Sequence, residues 1–135
     1  LIMSFKLELD ETRKQQLSKK ALLEFFKQQA KTDLADKTDK FAEQMALDYQ
    51  SITIKGYKSR WGSCYPDGRI QFNWRLLQAP EWVVDYVVVH ELAHLVHANH
   101  SRAFWNLVVD YYPKTPAAKK VLKQHGQRWI NLLQN

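Results

Sequence analysis

The first third of the chain carries two kinds of hydrophobic pattern in succession. Over residues 1–9, apolar residues alternate with mainly polar ones, which is the period typical of a half-buried strand. After Asp10 the apolar spacing becomes three, four and seven residues, which predicts an amphipathic helix, and a second helical pattern runs from about Asp33 to Tyr49. No repeat or low-complexity linker separates these segments, so we expect them to belong to one domain.

The next segment, residues 51–74, has a pattern typical of short strands. Its first apolar residues alternate with polar ones, and the sequence YPDG at residues 65–68 has the proline and glycine of a tight turn. We therefore predict strands at about 51–55 and 57–63, followed by a hairpin return at about 69–74. A substrate strand is expected to pair with the exposed edge of this hairpin, around residues 70–74.

A valine-rich run follows Pro80 and continues without Gly or Pro to about His97. Valine favours strands, but eighteen residues is long for a strand and ordinary for a helix, so we predict a helix here. A further helix is predicted from Ser101 to about Tyr112, before Pro113, and one or two short helices are expected to finish the chain.

Composition places the chain among compact globular proteins. With 135 residues and 45% hydrophobic content, it fits a single domain over residues 1–135. The only cysteine, Cys64, excludes an internal disulfide, and we expect it to pack in the core with Trp61. No apolar run is long enough to span a membrane and no signal peptide is recognisable, so we expect a cytoplasmic protein. Because the chain begins at Leu1 rather than Met, we expect it to be shortened at its N-terminus.

The net charge of +6 is distributed unevenly along the chain. Residues 1–50 contain nine basic and nine acidic side chains, whereas residues 51–135 contain eleven basic and five acidic ones. A basic surface favours anionic partners such as nucleic acid or acidic peptides. The alternative is that these are ordinary solvated lysines on surface helices.

Chemistry is concentrated in the run VVVHELAHLVHANH, which contains four of the five histidines. Its core is an HExxH motif formed by His90, Glu91 and His94. On a helix, residues four apart project side by side, so both imidazoles can hold one zinc ion, whereas on a strand they would lie about 13 Å apart. Glu91 then points to the side of the ion, where it can act as general base on the hydrolytic water.

A catalytic zinc needs a third protein ligand. Glutamate is excluded on the later part of the chain, since none follows Glu91. The remaining candidates are His97, His100, His125 and Asp110. One straight helix cannot wrap three imidazoles around one ion, which argues against His97. We predict His100, provided that the helix ends near residue 98 and that Asn99 adopts the left-handed conformation that turns the chain back.

Several separated motifs, in consistent order, carry a resemblance to a known family. RWGSC (residues 60–64), GRIQFNWRLLQAP (68–80), VVDYVVVHELAHL and NHSRAFW resemble the YgjP-like zinc metallopeptidases. The resemblance implies a zincin-like α+β fold, with a small antiparallel sheet packed against the HExxH helix and additional helices on both sides. It also implies that the histidine of NHS, His100, is the third ligand. The HExxH region is similar to WLM and SprT-like proteases too, which lack the RWGSC-to-NWR block.

These observations predict a zinc metallopeptidase that acts on peptide or protein substrates, with zinc held by His90, His94 and His100 and Glu91 as general base. One alternative is a zinc hydrolase of a nucleotide or phosphorylated small molecule, although no glycine-rich phosphate loop is present. Another is a DNA-associated protease, or a binding module whose zinc is structural, which leaves Glu91 unexplained. Buried histidines without metal are a further alternative.

Overall fold

A computed structural model of the chain describes residues 19–131 and has an α+β architecture. In chain order its elements are α1 (Lys19–Met45), β1 (Ser51–Lys55), β2 (Gly62–Cys64), β3 (Arg69–Asn73), a 3-10 helix (Trp74–Gln78), α2 (Glu81–Ala93), α3 (Arg102–Tyr111) and α4 (Thr115–Ile130). The strand predicted over residues 1–9 lies outside the described residues.

Helix α1 joins the two helical patterns of the N-terminal third, so the prediction of a separate helix from Asp33 is wrong. Its buried apolar side chains recur at helical spacing and are Phe26, Ala30, Leu34, Phe41, Ala42 and Met45. The helix ends where Ala46 adopts a left-handed conformation with φ of 56°. There the Leu47 N–H donates back to the Ala42 carbonyl at 2.9 Å, and Tyr49 lies beyond this end.

The three strands form a mixed sheet in the order β1-β3-β2. Strand β1 is parallel to β3 and β2 is antiparallel to it, so the expected antiparallel pairing holds for β2 and β3 alone. The turn at residues 65–68 closes as predicted, with Gly68 at φ of 93° donating to the Tyr65 carbonyl. The strand predicted at 57–63 is confined to Gly62–Cys64, and residues 56–61 form a loop.

Because β3 is paired on both sides, it offers no free edge to a substrate. The predicted pairing of a substrate around residues 70–74 is therefore wrong. The sheet edge on the side of the histidines belongs to β2, which packs against α2.

Helix α2 is surrounded by α1, α3, α4 and β2. Its valines at positions 83, 84, 87, 88 and 89 are all 3% exposed or less. A helix that is apolar on all sides is stable when it is buried on all sides, so this packing outweighs the strand propensity of valine. At its start, Lys37 of α1 forms ion pairs with Glu81 at 2.9 Å and Asp85 at 2.7 Å.

Helix α2 ends at Ala93, four residues earlier than predicted, with His94 as its C-cap. The expected turn through Asn99 is also wrong, since Ala46 is the sole non-glycine residue with positive φ between residues 19 and 131. The last helix is a single one, α4, rather than two short ones. Within the part of the chain that the structure describes, no helix is long and apolar enough to cross a membrane.

Candidate metal centre

The centre is built from the end of α2 and the segment that leads into α3. His90 lies in the last turn of α2, His94 caps it, and their ring centroids are 5.0 Å apart. His100 precedes Ser101, the N-cap of α3, whose hydroxyl accepts a hydrogen bond from the Phe104 N–H at 3.2 Å. This cap begins α3 directly after His100. The ring centroid of His100 then lies 4.9 Å from that of His94 and 5.2 Å from that of His90.

The three imidazoles present the same atom to one another. His100 Nε2 lies 3.1 Å from His94 Nε2 and 3.3 Å from His90 Nε2. Ligand atoms of the three residues all lie within 4.8 Å of each other, and they form a group that could hold a metal ion. Nitrogen ligands about 2.05 Å from a tetrahedral ion are separated by about 3.3 Å, so the two separations from His100 are those of ligands that share such an ion.

The Nδ1 atoms of His94 and His90 each have a hydrogen-bond partner outside the cluster. His94 Nδ1 lies 3.1 Å from the backbone carbonyl of His97, so it carries the proton and leaves Nε2 with a free lone pair. His90 Nδ1 lies 3.2 Å from the hydroxyl of Tyr86, one turn earlier on α2. Such outer contacts orient metal-binding histidines. The contribution of His97 is therefore its carbonyl, not its side chain.

Two aromatic rings, those of Phe104 and Trp105, pack against the histidine cluster. Phe104, which is fully buried, lies 4.4 Å from the His94 ring and 5.0 Å from those of His90 and His100. Trp105 stacks on His100 at 5.6 Å with an interplanar angle of 28°. The roles of Phe104 and Trp105 were not predicted from the sequence, although both residues follow the N-cap serine in the motif NHSRAFW.

Glu91 lies on the buried side of α2 and lines the same cavity as the three histidines. It is 5% exposed, and burial raises its pKa to about 8, although the charge of Arg60 acts to lower it. Burial, followed by the charges of His94 and His100, lowers the pKa of His90 to about 3. An imidazole that stays neutral is in the form that binds a metal.

Strand β2 packs directly against Glu91. A methyl group at Gly62 would lie 3.2 Å from Glu91 Oε2 and 2.9 Å from the Gln71 carbonyl, so glycine is required for this approach. The cavity has a volume of about 480 Å³, and β2 lines it together with the histidines and Glu91. Cys64 also lines it, but burial and the charge of Glu91 raise the pKa of its thiol to about 11, which keeps it protonated.

The other candidate ligands lie outside the cluster. His97, His125 and Asp110 are not part of the metal-binding group, and within residues 19–131 that group has three members. A structural zinc site is usually closed by four protein ligands, whereas this one offers three. The alternative of a structural zinc module therefore has no support from the described residues.

Comparison with known proteins agrees with this geometry. The model of the YgjP-like metallopeptidase domain matches residues 4–125. The chain belongs to the YgjP-like family. Membership identifies it as a peptidase-type hydrolase and implies a metal ion, and it gives no support to a phosphate-directed hydrolase.

A structural comparison supports the same fold. The chain is similar to the crystal structure of the metallopeptidase zymogen of Pyrococcus abyssi abylysin, with a TM-score of 0.60 and 20% sequence identity. The likeness covers 67% of this chain and 93% of that one. It confirms the zincin-like α+β fold expected from the sequence. Among curated proteins, no match to the sequence was found.

Proposed function

We propose that this member of the family is a zinc-dependent metallopeptidase in which His90, His94 and His100 hold the ion and Glu91 is the general base. The observation that carries the proposal is the convergence of three Nε2 atoms, two of their separations being 3.1 and 3.3 Å, beside a buried carboxylate. Nitrogen ligands in a tetrahedral arrangement are typical of zinc. When bound, such an ion acidifies water and polarises the scissile carbonyl.

The chain supplies the proton transfers through Glu91. Its carboxylate lies against Gly62 of β2 and lines the same cavity as the histidines, so we expect it to take a proton from the attacking water and pass it to the leaving amine. In the ion-free protein burial holds its pKa at about 8, and a bound dication favours the ionised form that the base must adopt.

Strand β2 is proposed to align the substrate. Within residues 19–131 it is an edge strand of the sheet, and it lines the cavity, so a peptide in extended conformation can pair with the backbone of Gly62–Cys64. This pairing lays the peptide backbone across the cavity beside Glu91.

The decisive test compares Glu91→Gln with His100→Ala. Glu91→Gln keeps the shape of the side chain and should bind about one zinc per chain, yet lose hydrolysis of a mixed peptide library by at least about 100-fold. His100→Ala should lose both zinc and activity. His97→Ala serves as control and should keep the metal, because only its carbonyl contacts His94. Full activity in Glu91→Gln would refute the proposed role.

A further inference from the structure

Two segments that flank the cavity carry basic side chains and no acidic ones. Residues 51–66, which include β2, and residues 111–131, which include α4, contain no Asp or Glu. Their basic residues are Lys55, Lys58, Arg60, Lys114, Lys119, Lys120, Lys123 and Arg128. The contact between Trp61 and Trp129, at 6.4 Å, brings the two segments together.

Arg60 is a cation fixed at the entry to β2. Buried Asn73 donates from Nδ2 to the carbonyls of Tyr57 at 2.9 Å and Arg60 at 3.1 Å, which holds the loop. The exposed guanidinium lies over the Tyr57 ring at 5.0 Å. Two residues later, Gly62 packs on Glu91, so Arg60 lies at the β2 side of the cavity.

Lys119, on α4, is a second cation beside the histidines. Its ammonium lies 3.9 Å from the centre of the Trp105 ring, which stacks on His100. Lys119 and His100 therefore both lie against Trp105. Within residues 19–131, neither Arg60 nor Lys119 forms an ion pair, so both charges are open to a ligand.

We infer that Arg60 and Lys119 are specificity residues that select peptide substrates with acidic side chains beside the scissile bond. The inference rests on the proposed peptidase function. A peptide that pairs with β2 passes Arg60, and where it crosses the histidines it passes Trp105 and Lys119. Because these two exposed cations have no ion-pair partner among the described residues, they favour carboxylates there and disfavour basic side chains.

Single-stranded nucleic acid, another anionic ligand, fits this surface less well. Its binding depends on aromatic faces on which bases stack. Near the cavity such faces already have partners, since Trp105 contacts Lys119 and stacks on His100, and Tyr57 lies under Arg60.

The test begins with the zinc-loaded protein and a peptide library of mixed sequence, with cleaved bonds identified by mass spectrometry. The best-cleaved core is then made as three quenched fluorogenic peptides, flanked on each side by Glu, by Gln or by Lys. Wild-type kcat/KM should fall about tenfold from the Glu to the Gln peptide, which corresponds to about threefold for each exposed charge pair. The preference should shrink at high salt.

Matched variants distinguish the effect of the two local charges, Arg60 and Lys119, on the substrate preference from the effect of the protein's net charge. The double variant Arg60→Gln/Lys119→Gln should lose the preference, and Arg60→Glu/Lys119→Glu should reverse it towards the Lys peptide. The control double variant Lys31→Gln/Lys40→Gln removes the same charge from α1 and should keep the wild-type preference. A preference that survives in the Gln double variant, or disappears in the control, overturns the inference.

Binding to zinc-loaded Glu91→Gln distinguishes this inference from the proposed function. If the wild type cleaves no peptide of the library, the same three flanks are placed on a Gly-Ser core, and charge-dependent binding of its Glu form would refute the peptidase and leave the surface standing. Cleavage that is indifferent to flanking charge would refute the surface and leave the peptidase standing. If a 20-nucleotide thymidine oligomer binds at the same two residues more tightly than the peptide, the surface serves nucleic acid and the inference is wrong.

Discussion

At the scale of single residues, the orientation of the histidines depends on side chains outside the HExxH motif. Phe104 touches all three rings, and Tyr86 contacts the outer nitrogen of His90. An imidazole that is free to rotate must lose that freedom when it binds an ion. Because these contacts already fix the rings, the free-energy cost of orienting them on metal binding is lower. The supporting side chains are therefore part of the candidate metal site.

Tyr86→Phe should weaken zinc binding by about tenfold while leaving the fold intact. The variant removes the hydroxyl 3.2 Å from His90 Nδ1 but keeps the ring that packs edge-on at 5.7 Å. Competition with a chelator of known affinity measures the change. Tyr111→Phe, at an exposed position on α3, is the control and should bind zinc as the wild type does. Equal affinity of the two variants would show that the hydroxyl plays no part.

At the scale of elements, the close approach of β2 to α2 forms the side of the cavity on which Glu91 lies. Gly62 allows this approach because any side chain there meets the Gln71 carbonyl and Glu91. The motif RWGSC is therefore a structural partner of HExxH, although residues 60–64 and 90–94 are far apart in the sequence.

Gly62→Ala should lower kcat by at least about tenfold and destabilise the fold by about 1–3 kcal/mol. The added methyl group would lie 2.9 Å from a backbone oxygen, so β2 must move and Glu91 with it. Gly56→Ala is the comparison, because a methyl group there meets the side chains of Arg75 and Trp74 at 3.3 Å and needs a smaller shift. Peptide hydrolysis and urea unfolding of both variants test this, and equal effects would contradict it.

The ion pairs between α1 and α2 should make the stability depend on pH. Burial acts to lower the pKa of Lys37, but its hydrogen bonds with Asp85 and Glu81 outweigh this and raise it. A raised lysine pKa adds stability below about pH 10.5 that is lost as the pH rises further. The same contact lowers the pKa of Glu81, whose contribution is lost as the pH falls below about 4.5.

Lys37→Met should therefore reduce the free energy of unfolding by roughly 1 kcal/mol at neutral pH, and by less at both extremes. Urea unfolding at pH 4, 7 and 11 measures the difference from wild type. Lys31→Met, at an exposed position on the same helix, should have little effect at any of these values. A difference that is independent of pH would show that the ion pairs are not its source.

At the scale of the whole molecule, the candidate metal site joins α2 and α3, which residues 94–101 connect along the chain. Two of the proposed ligands lie at the end of α2 and the third precedes α3, with residues 95–99 between them. An ion held by all three ties the two helices together. Its binding energy is then part of the folding energy.

Removal of the ion with a chelator should lower the thermal midpoint of the wild type. The free energy of unfolding falls by about 4 kcal/mol when the free zinc concentration had been about a thousand times the Kd. Calorimetry with and without chelator measures it. His97→Ala should show the same shift and His100→Ala none, since the latter lacks a ligand in both conditions. An unchanged midpoint in the wild type would mean that no ion contributes to the fold.

Local patterns in the sequence were sufficient to predict most elements and the residues that converge. HExxH spacing on a helix places two imidazoles together, because that argument uses only helical geometry and side-chain chemistry. For the third position the sequence left four candidates, and His100 was chosen through a turn at Asn99 that the structure does not contain. The turn at residues 65–68 and the capping serine at 101 were also predictable, since their conformations are set by the residues themselves.

Tertiary contacts decided the rest. The end of α2 at Ala93, the parallel pairing of β1 with β3 and the choice of β2 as the free edge depend on partners distant in sequence. Local propensity carries no information about which edge is covered. The support from Phe104, the approach of Gly62 to Glu91 and the positions of Arg60 and Lys119 arise in the same way. The sequence by itself determined which groups can do the chemistry, whereas packing decided what orients them and what charge surrounds them.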